Sequence, residues 1–170
     1  KRQGLRSALL IVLHTDPRRA SGFPALLSSS GPLPAEHGRN GMRIEPGHIY
    51  VAPPDHHMTV GPIDFIGLDQ GPKENYTRPA VDPLFRSAAS VYGSRVIGII
   101  LTGGGGDGTE GLIAIERAGG LAIVQDPDEA QDSSMPTNAL LRDNPNVCLP
   151  LNEIPGVIIG CSSVSQGSAY

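Results

Sequence analysis

The chain has 170 residues, with 13 Lys and Arg against 17 Asp and Glu and a formal net charge of −4. That length suits a single domain. The mildly acidic balance, with no basic run beyond Arg18-Arg19, lacks the footprint of a nucleic-acid binder. The longest apolar runs, Ala8 to Leu13 and Val96 to Leu101, fall far short of the roughly 20 residues that a spanning helix needs, so no membrane insertion is expected.

The start, Lys1-Arg2-Gln3-Gly4-Leu5, has basic residues but no long apolar stretch behind them, and no signal peptide is expected. Cys148 and Cys161 form no C-x-x-C pair or metal-like cluster, which points to a reduced, cytoplasmic setting. The 22 Gly and 16 Pro residues are roughly twice the usual share. Short apolar runs bounded by these residues predict a loop-rich domain with buried strands.

Ala8 to Leu13 is the first such run, short, branched and continuously apolar, and it ends at His14. Ile49 to Ala52 and Met58 to Val60 flank Pro53-Pro54-Asp55, which predicts an antiparallel hairpin. Gln70 to Pro79 is polar and turn-rich and reads as a loop. A helix is expected over Pro83 to Tyr92, with Leu84, Ala88 and Val91 on one face.

The second buried strand is Val96 to Leu101, running into a string of glycines. Thr109 to Ala118 has helical spacing and stops at Gly119-Gly120. A third strand, Leu121 to Val124, follows, then a helix over Pro136 to Arg142 and a weaker strand over Val147 to Pro150. Strand, helix, strand in about 30 residues is a β-α-β unit, so the strands should be parallel. The predicted architecture is α/β: a doubly wound, mostly parallel sheet with helices on both faces, three layers in all, and an antiparallel hairpin at one edge.

In such sheets ligands bind beyond the carboxyl ends of the strands. His14, the loop Thr102 to Gly108 and Gln125-Asp126 all arrive there. The glycine loop lacks phosphate-loop spacing and any Lys or Arg, and Asp107 would repel a phosphate. Asp107 reads either as the N-cap of the following helix, with Gly108 at its first position, or as a carboxylate that orients His14. His37, His48, His56 and His57 read as loop or hairpin surface residues. No metal site and no cofactor is expected, since His56-His57 has no third ligand at a recognisable spacing.

Gly47-His48-Ile49-Tyr50-Val51-Ala52-Pro53-Pro54-Asp55-His56-His57-Met58 resembles a segment of the catalytic domains of CheB-type chemotaxis protein-glutamate methylesterases. Arg78-Pro79-Ala80-Val81-Asp82-Pro83-Leu84-Phe85-Arg86-Ser87 is similar to the segment that follows it there. The same holds for Leu101-Thr102-Gly103 through Leu112, Ala118-Gly119-Gly120, Gln125-Asp126-Pro127 and Met135-Pro136. The resemblance implies hydrolysis of glutamyl methyl esters, and possible deamidation of glutamines, on the cytoplasmic helices of methyl-accepting chemoreceptors.

The implied chemistry is a Ser-His-Asp mechanism, with His14 and Asp107 at the positions of the family's catalytic histidine and aspartate. Backbone N–H groups around Gly104 would stabilise the oxyanion. The family's G-x-S-x-G-G nucleophile turn has no counterpart in residues 1–13, where Ser7 precedes the strand. The nucleophile is therefore unassigned. The chain reads as starting after that turn, with a methylesterase-like domain over 1–154, a tail over 155–170 and no receiver domain. Gly104 also stands where the family usually has methionine. Val157 to Ile159 followed by Ser162 is weighed as a strand that could fill the gap and supply a nucleophile. The alternative function is a non-catalytic member that binds receptor helices or a partner.

Overall fold

The computed structural model describes residues 5–16, 18, 21–142 and 145–163. Its parallel strands divide into two sheets. The first is built from β1 (Leu9–Ile11), β2 (Ala35–His37) and β3 (Ile49–Val51) in the order β1-β3-β2, all parallel. Helix α1 (Phe23–Ser30) connects β1 to β2, with Pro24 in its first turn, where a missing N–H costs nothing. The second sheet holds β6 (Ile97–Ile100), β7 (Leu121–Gln125) and β8 (Val147–Leu149) in chain order, again parallel. Its crossovers are α3 (Thr109–Arg117) and α4 (Ser134–Arg142).

Between the two sheets in sequence lie an antiparallel pair, β4 (His57–Gly61) and β5 (Phe65–Asp69), and helix α2 (Val81–Tyr92). The antiparallel pair exists, but not with the expected partners. Ile49–Val51 is fully buried and central in a parallel sheet. Both faces of this strand are buried, so its apolar run is continuous rather than alternating. The hairpin turns instead at Pro62-Ile63-Asp64, where Ile63 and Asp64 both take positive φ, and Pro53-Pro54-Asp55 merely links β3 to β4.

Two apolar clusters result. Tyr50, Met58, Val60, Ile66 and Leu84 form one, and Val81, Ile100, Leu112, Val124 and Ala139 the other. Val12, just beyond β1, and Phe85, on α2, pack against both. Helix α2 therefore joins the two halves.

Glycine makes that junction tight. A Cβ on Gly111 would lie 2.5 Å from Phe85 Cβ, and one on Gly98 would lie 2.5 Å from Ile115 Cδ1. The tail reads differently from the strand weighed for it. Val157 to Ile159 lies inside α5 (Ile154–Ser163), and among the described residues no strand joins the β1 edge to the β6 edge.

Candidate active site

His14 and Asp107 follow the carboxyl ends of β1 and β6, one from each parallel sheet. Their side chains meet, with His14 Nε2 at 2.7 Å from Asp107 Oδ2. Asp107 is 1% exposed, whereas the His14 side chain keeps 26% of its surface. One partner is thus sheltered from water and the other reaches it.

Burial works against charge on Asp107. The bonds from His14 and from the Val81 and Asp82 N–H groups outweigh it, so the carboxyl sits below the usual aspartate range. An ionised carboxylate only accepts, so Nε2 carries the proton of this bond. That leaves Nδ1 as the basic nitrogen.

The N-cap reading of Asp107 is corrected. The residue at the N-cap of α3 is Gly108, at φ 92°, a left-handed conformation that suits glycine. Asp107 caps another helix. Its Oδ2 accepts the Val81 N–H at 2.6 Å and its Oδ1 the Asp82 N–H at 3.2 Å, at the start of α2, where Ala80 has no capping side chain. Asp82 returns the favour to α3, its Oδ1 accepting the Gly111 N–H at 2.7 Å. Two helix N-termini, each rich in orphan donors, are closed by carboxylates that each belong to the other.

Gln125 does not reach His14. It is buried at the end of β7, and its Oε1 takes the Thr102 N–H at 2.8 Å, while its amide donates to Glu129. The glycine loop is further pinned by Gly103 N–H to Asp132 O, by Met135 N–H to Gly103 O and by Asn138 Nδ2 to Gly105 O. Gly104 lies exposed between these anchors, and a Cβ there would meet Asp132 Oδ2 at 3.2 Å. Among the described residues its N–H makes no hydrogen bond within the chain.

Ser162 is not brought to His14. Its hydroxyl bonds to Ser7 Oγ and Ile158 O, both at 2.9 Å. Among the described residues, Asp107 is the one hydrogen-bond partner of His14. No group of three or more His, Cys, Asp and Glu side chains in that set is placed to hold a metal ion.

His57 is a correction of another kind. It is 3% exposed, with Nδ1 accepting the Ala80 N–H at 3.2 Å and Nε2 donating to Pro72 O at 2.9 Å. A neutral ring can serve both partners, one nitrogen accepting and the other donating. Asn75 and Asp82 also belong to the site's surroundings, and the linear pattern singled out neither.

Comparison with known proteins identifies the family. The model of the family described as "CheB methylesterase" matches residues 2–158. The chain is 41% identical over 152 residues to protein-glutamate methylesterase/protein-glutamine glutaminase 2 of Caulobacter vibrioides, covering 87% of this chain and 44% of that protein. It is 33% identical to the Pyrococcus abyssi protein-glutamate methylesterase/protein-glutamine glutaminase, covering 97% of this chain and 46% of that one. The chain thus spans about half the length of these curated relatives. The crystal structure of the Thermotoga maritima CheB methylesterase catalytic domain superposes with a TM-score of 0.88 at 31% identity, covering 92% of this chain and 85% of that one. On sequence and fold together, this chain belongs to the CheB methylesterase family.

Proposed function

We propose that this chain works as a protein-glutamate methylesterase domain, hydrolysing glutamyl methyl esters on the cytoplasmic helices of chemoreceptors, with glutamine deamidation as a second reaction at the same site. The observation that carries this is the His14–Asp107 pair, a partly exposed imidazole held at 2.7 Å by a buried carboxylate. In this reading the protein acts in the cytoplasm, without a cofactor.

His14 Nδ1 takes the proton of a serine hydroxyl as its oxygen bonds to the ester carbonyl carbon. It then gives that proton to the departing methoxide, which leaves as methanol. Water, deprotonated by the same nitrogen, then cleaves the acyl-enzyme to a free glutamate, and Nδ1 returns that proton to the departing serine oxygen. Asp107 holds the ring in the required tautomer and offsets its positive charge. The N–H of Gly104 and its loop neighbours would face the developing oxyanion.

The serine must come within about 3 Å of Nδ1. No described serine is hydrogen-bonded to His14, and this favours one second reading, a non-catalytic member that binds receptor helices. Methanol release from methylated receptor fragments separates the two. Hydrolysis that falls on the order of a millionfold in His14→Ala supports the enzyme. Retained receptor binding without hydrolysis by the unaltered chain supports the binding module.

A further inference from the structure

Asn75 sits in a tight turn near the site. Glu74 and Thr77 exchange backbone hydrogen bonds, 3.2 Å from the Glu74 N–H and 2.9 Å from the Thr77 N–H. Asn75 and Tyr76 between them take φ of 50° and 66°. This is a two-residue loop with both central residues left-handed, a conformation that asparagine tolerates and tyrosine does not favour. The turn drives Tyr76 out into solvent, 96% exposed, and, although Asn75 is an exposed residue, directs its amide to the buried Asp82 and Asp107 carboxylates.

Inside, the Asn75 amide meets two carboxylates at once. Nδ2 lies 2.8 Å from Asp82 Oδ2 and 3.1 Å from Asp107 Oδ1, so each of its two hydrogens has its own acceptor. The amide's orientation follows from chemistry, because its oxygen would be repelled by both carboxylates. Counting His14, the Asp107 carboxylate then receives four donors, two on each oxygen. Asp82 and Asp107 are each nearly fully buried and face one another across this amide.

We propose that Asn75 is a positioning residue of the His14–Asp107 site, its amide bridging Asp107 to Asp82 and fixing the Asp107 carboxylate toward His14. The backbone donors of α2 alone would leave Oδ1 with one long bond, at 3.2 Å, and a like-charged neighbour. The bridge supplies the second donor to that oxygen and stands between the two negative groups. This role rests on the esterase reading only for its catalytic consequence.

Two substitutions separate positioning from turn formation. Glycine and aspartate both tolerate the left-handed backbone, so a residue that merely shapes the turn is replaced by either at similar cost. Asn75→Gly removes the bridging donor. Asn75→Asp keeps the shape but sets a third carboxylate against two. The groups facing it are Asp82, Asp107 and His14 on the inside, with the Glu74–Arg86 ion pair on the neighbouring turn residue.

The test follows the His14 ring by NMR titration in the full chain and both variants, beside methyl-ester hydrolysis and thermal unfolding. We expect the His14 midpoint to climb by about one pH unit in Asn75→Asp and by less in Asn75→Gly, because negative charge gathered near the ring favours its protonated form. Hydrolysis should fall about 10- to 100-fold in Asn75→Gly and further in Asn75→Asp. A His14 midpoint that stays at the parent value in both folded variants overturns the proposal. If the parent chain hydrolyses no ester, the esterase reading fails alone, and the titration still decides what Asn75 does.

Discussion

Asp82 and Asp107 cap each other's helices: Asp107 closes the start of α2, to which Asp82 belongs, and Asp82 closes the first turn of α3, which begins two residues after Asp107. The exchange is possible because the helices approach to the distance that Gly111 allows. It makes the carboxylate that faces His14 part of the framework. Asp107 cannot swing without uncapping α2.

Breaking one side of this exchange should be costly. Asp82→Ala leaves the Gly111 N–H buried without an acceptor and frees one arm of the Asn75 amide. A lost cap is worth about 1 kcal/mol, and a buried orphan donor about 1–3 kcal/mol. We expect a loss of about 2–3 kcal/mol in the free energy of unfolding, read from the denaturant midpoint at constant slope. A change under about 0.5 kcal/mol, the level of an ordinary surface substitution, would refute reciprocal capping as a source of stability.

The same two carboxylates should pull stability in opposite directions with pH. Asp107 lies below the ordinary aspartate range when folded, so its contribution is present above about pH 4 and is lost as pH falls through the folded value. Asp82 is the reverse. Burial, only partly offset by the Gly111 and Asn75 bonds, raises it, so its contribution is present below about pH 4 and is lost as pH rises through the folded value. Asp82→Asn removes that second dependence. Its stability relative to the parent chain should therefore improve as pH rises above about 4 and level off once folded Asp82 has ionised. A difference that is flat above about pH 4 would show that Asp82 does not titrate abnormally.

Gly111 offers a steric check on the same junction. An added methyl would fall 2.5 Å from Phe85 Cβ, 3.0 Å from Asp82 Oδ1 and 3.2 Å from Asp82 Cα, so backbone as well as side chain must give way. Gly111→Ala should destabilise by about 1–3 kcal/mol despite alanine's better helix propensity. It should also weaken hydrolysis, because the shift is forced on Asp82. Gain of stability, as at an ordinary helical glycine, would contradict the close approach.

Much of this was legible from residue pattern, for definite reasons. The runs Leu9–Ile11, Ile97–Ile100 and Leu121–Gln125 are short, branched and bounded, and each is a strand within a residue or two of its expected limits. His14 and Asp107 both follow such strands, and the pattern therefore brings them to the same end of the molecule. Ile49–Val51 is the exception, because adjacency to Met58–Val60 suggests a hairpin while its partners are the parallel strands β1 and β2 upstream. Asp107 as the cap of its own helix was the local reading. The actual cap is made across 26 residues and depends on how two helices pack, which no spacing rule reports. Asn75 was hidden in a polar stretch where turn chemistry explained it well enough.

His57, which the sequence pattern places on the surface, is buried. It holds the segment that carries Asn75 at both ends, through Pro72 O on one side and the Ala80 N–H on the other. Arg78 ties the same segment to Asp55, with bonds of 2.9 Å and 2.7 Å, and to Gln70 O and Gly71 O. His57→Ala would leave the buried Ala80 N–H and the part-buried Pro72 carbonyl without this partner, beside a cavity. The expected loss is about 2–4 kcal/mol. A more specific readout is hydrogen exchange at Ala80, whose N–H should lose most of its protection while the amides of β7, in the other half of the molecule, keep theirs. Because Val81 and Asp82 follow Ala80 directly and hold Asp107, the loosening should reach the site, and ester hydrolysis should fall with exchange. Unchanged protection at Ala80 in a folded His57→Ala chain would mean that the segment is held without the histidine, by Arg78, Asn75 and the Glu74–Arg86 pair, and that the buried ring only fills space.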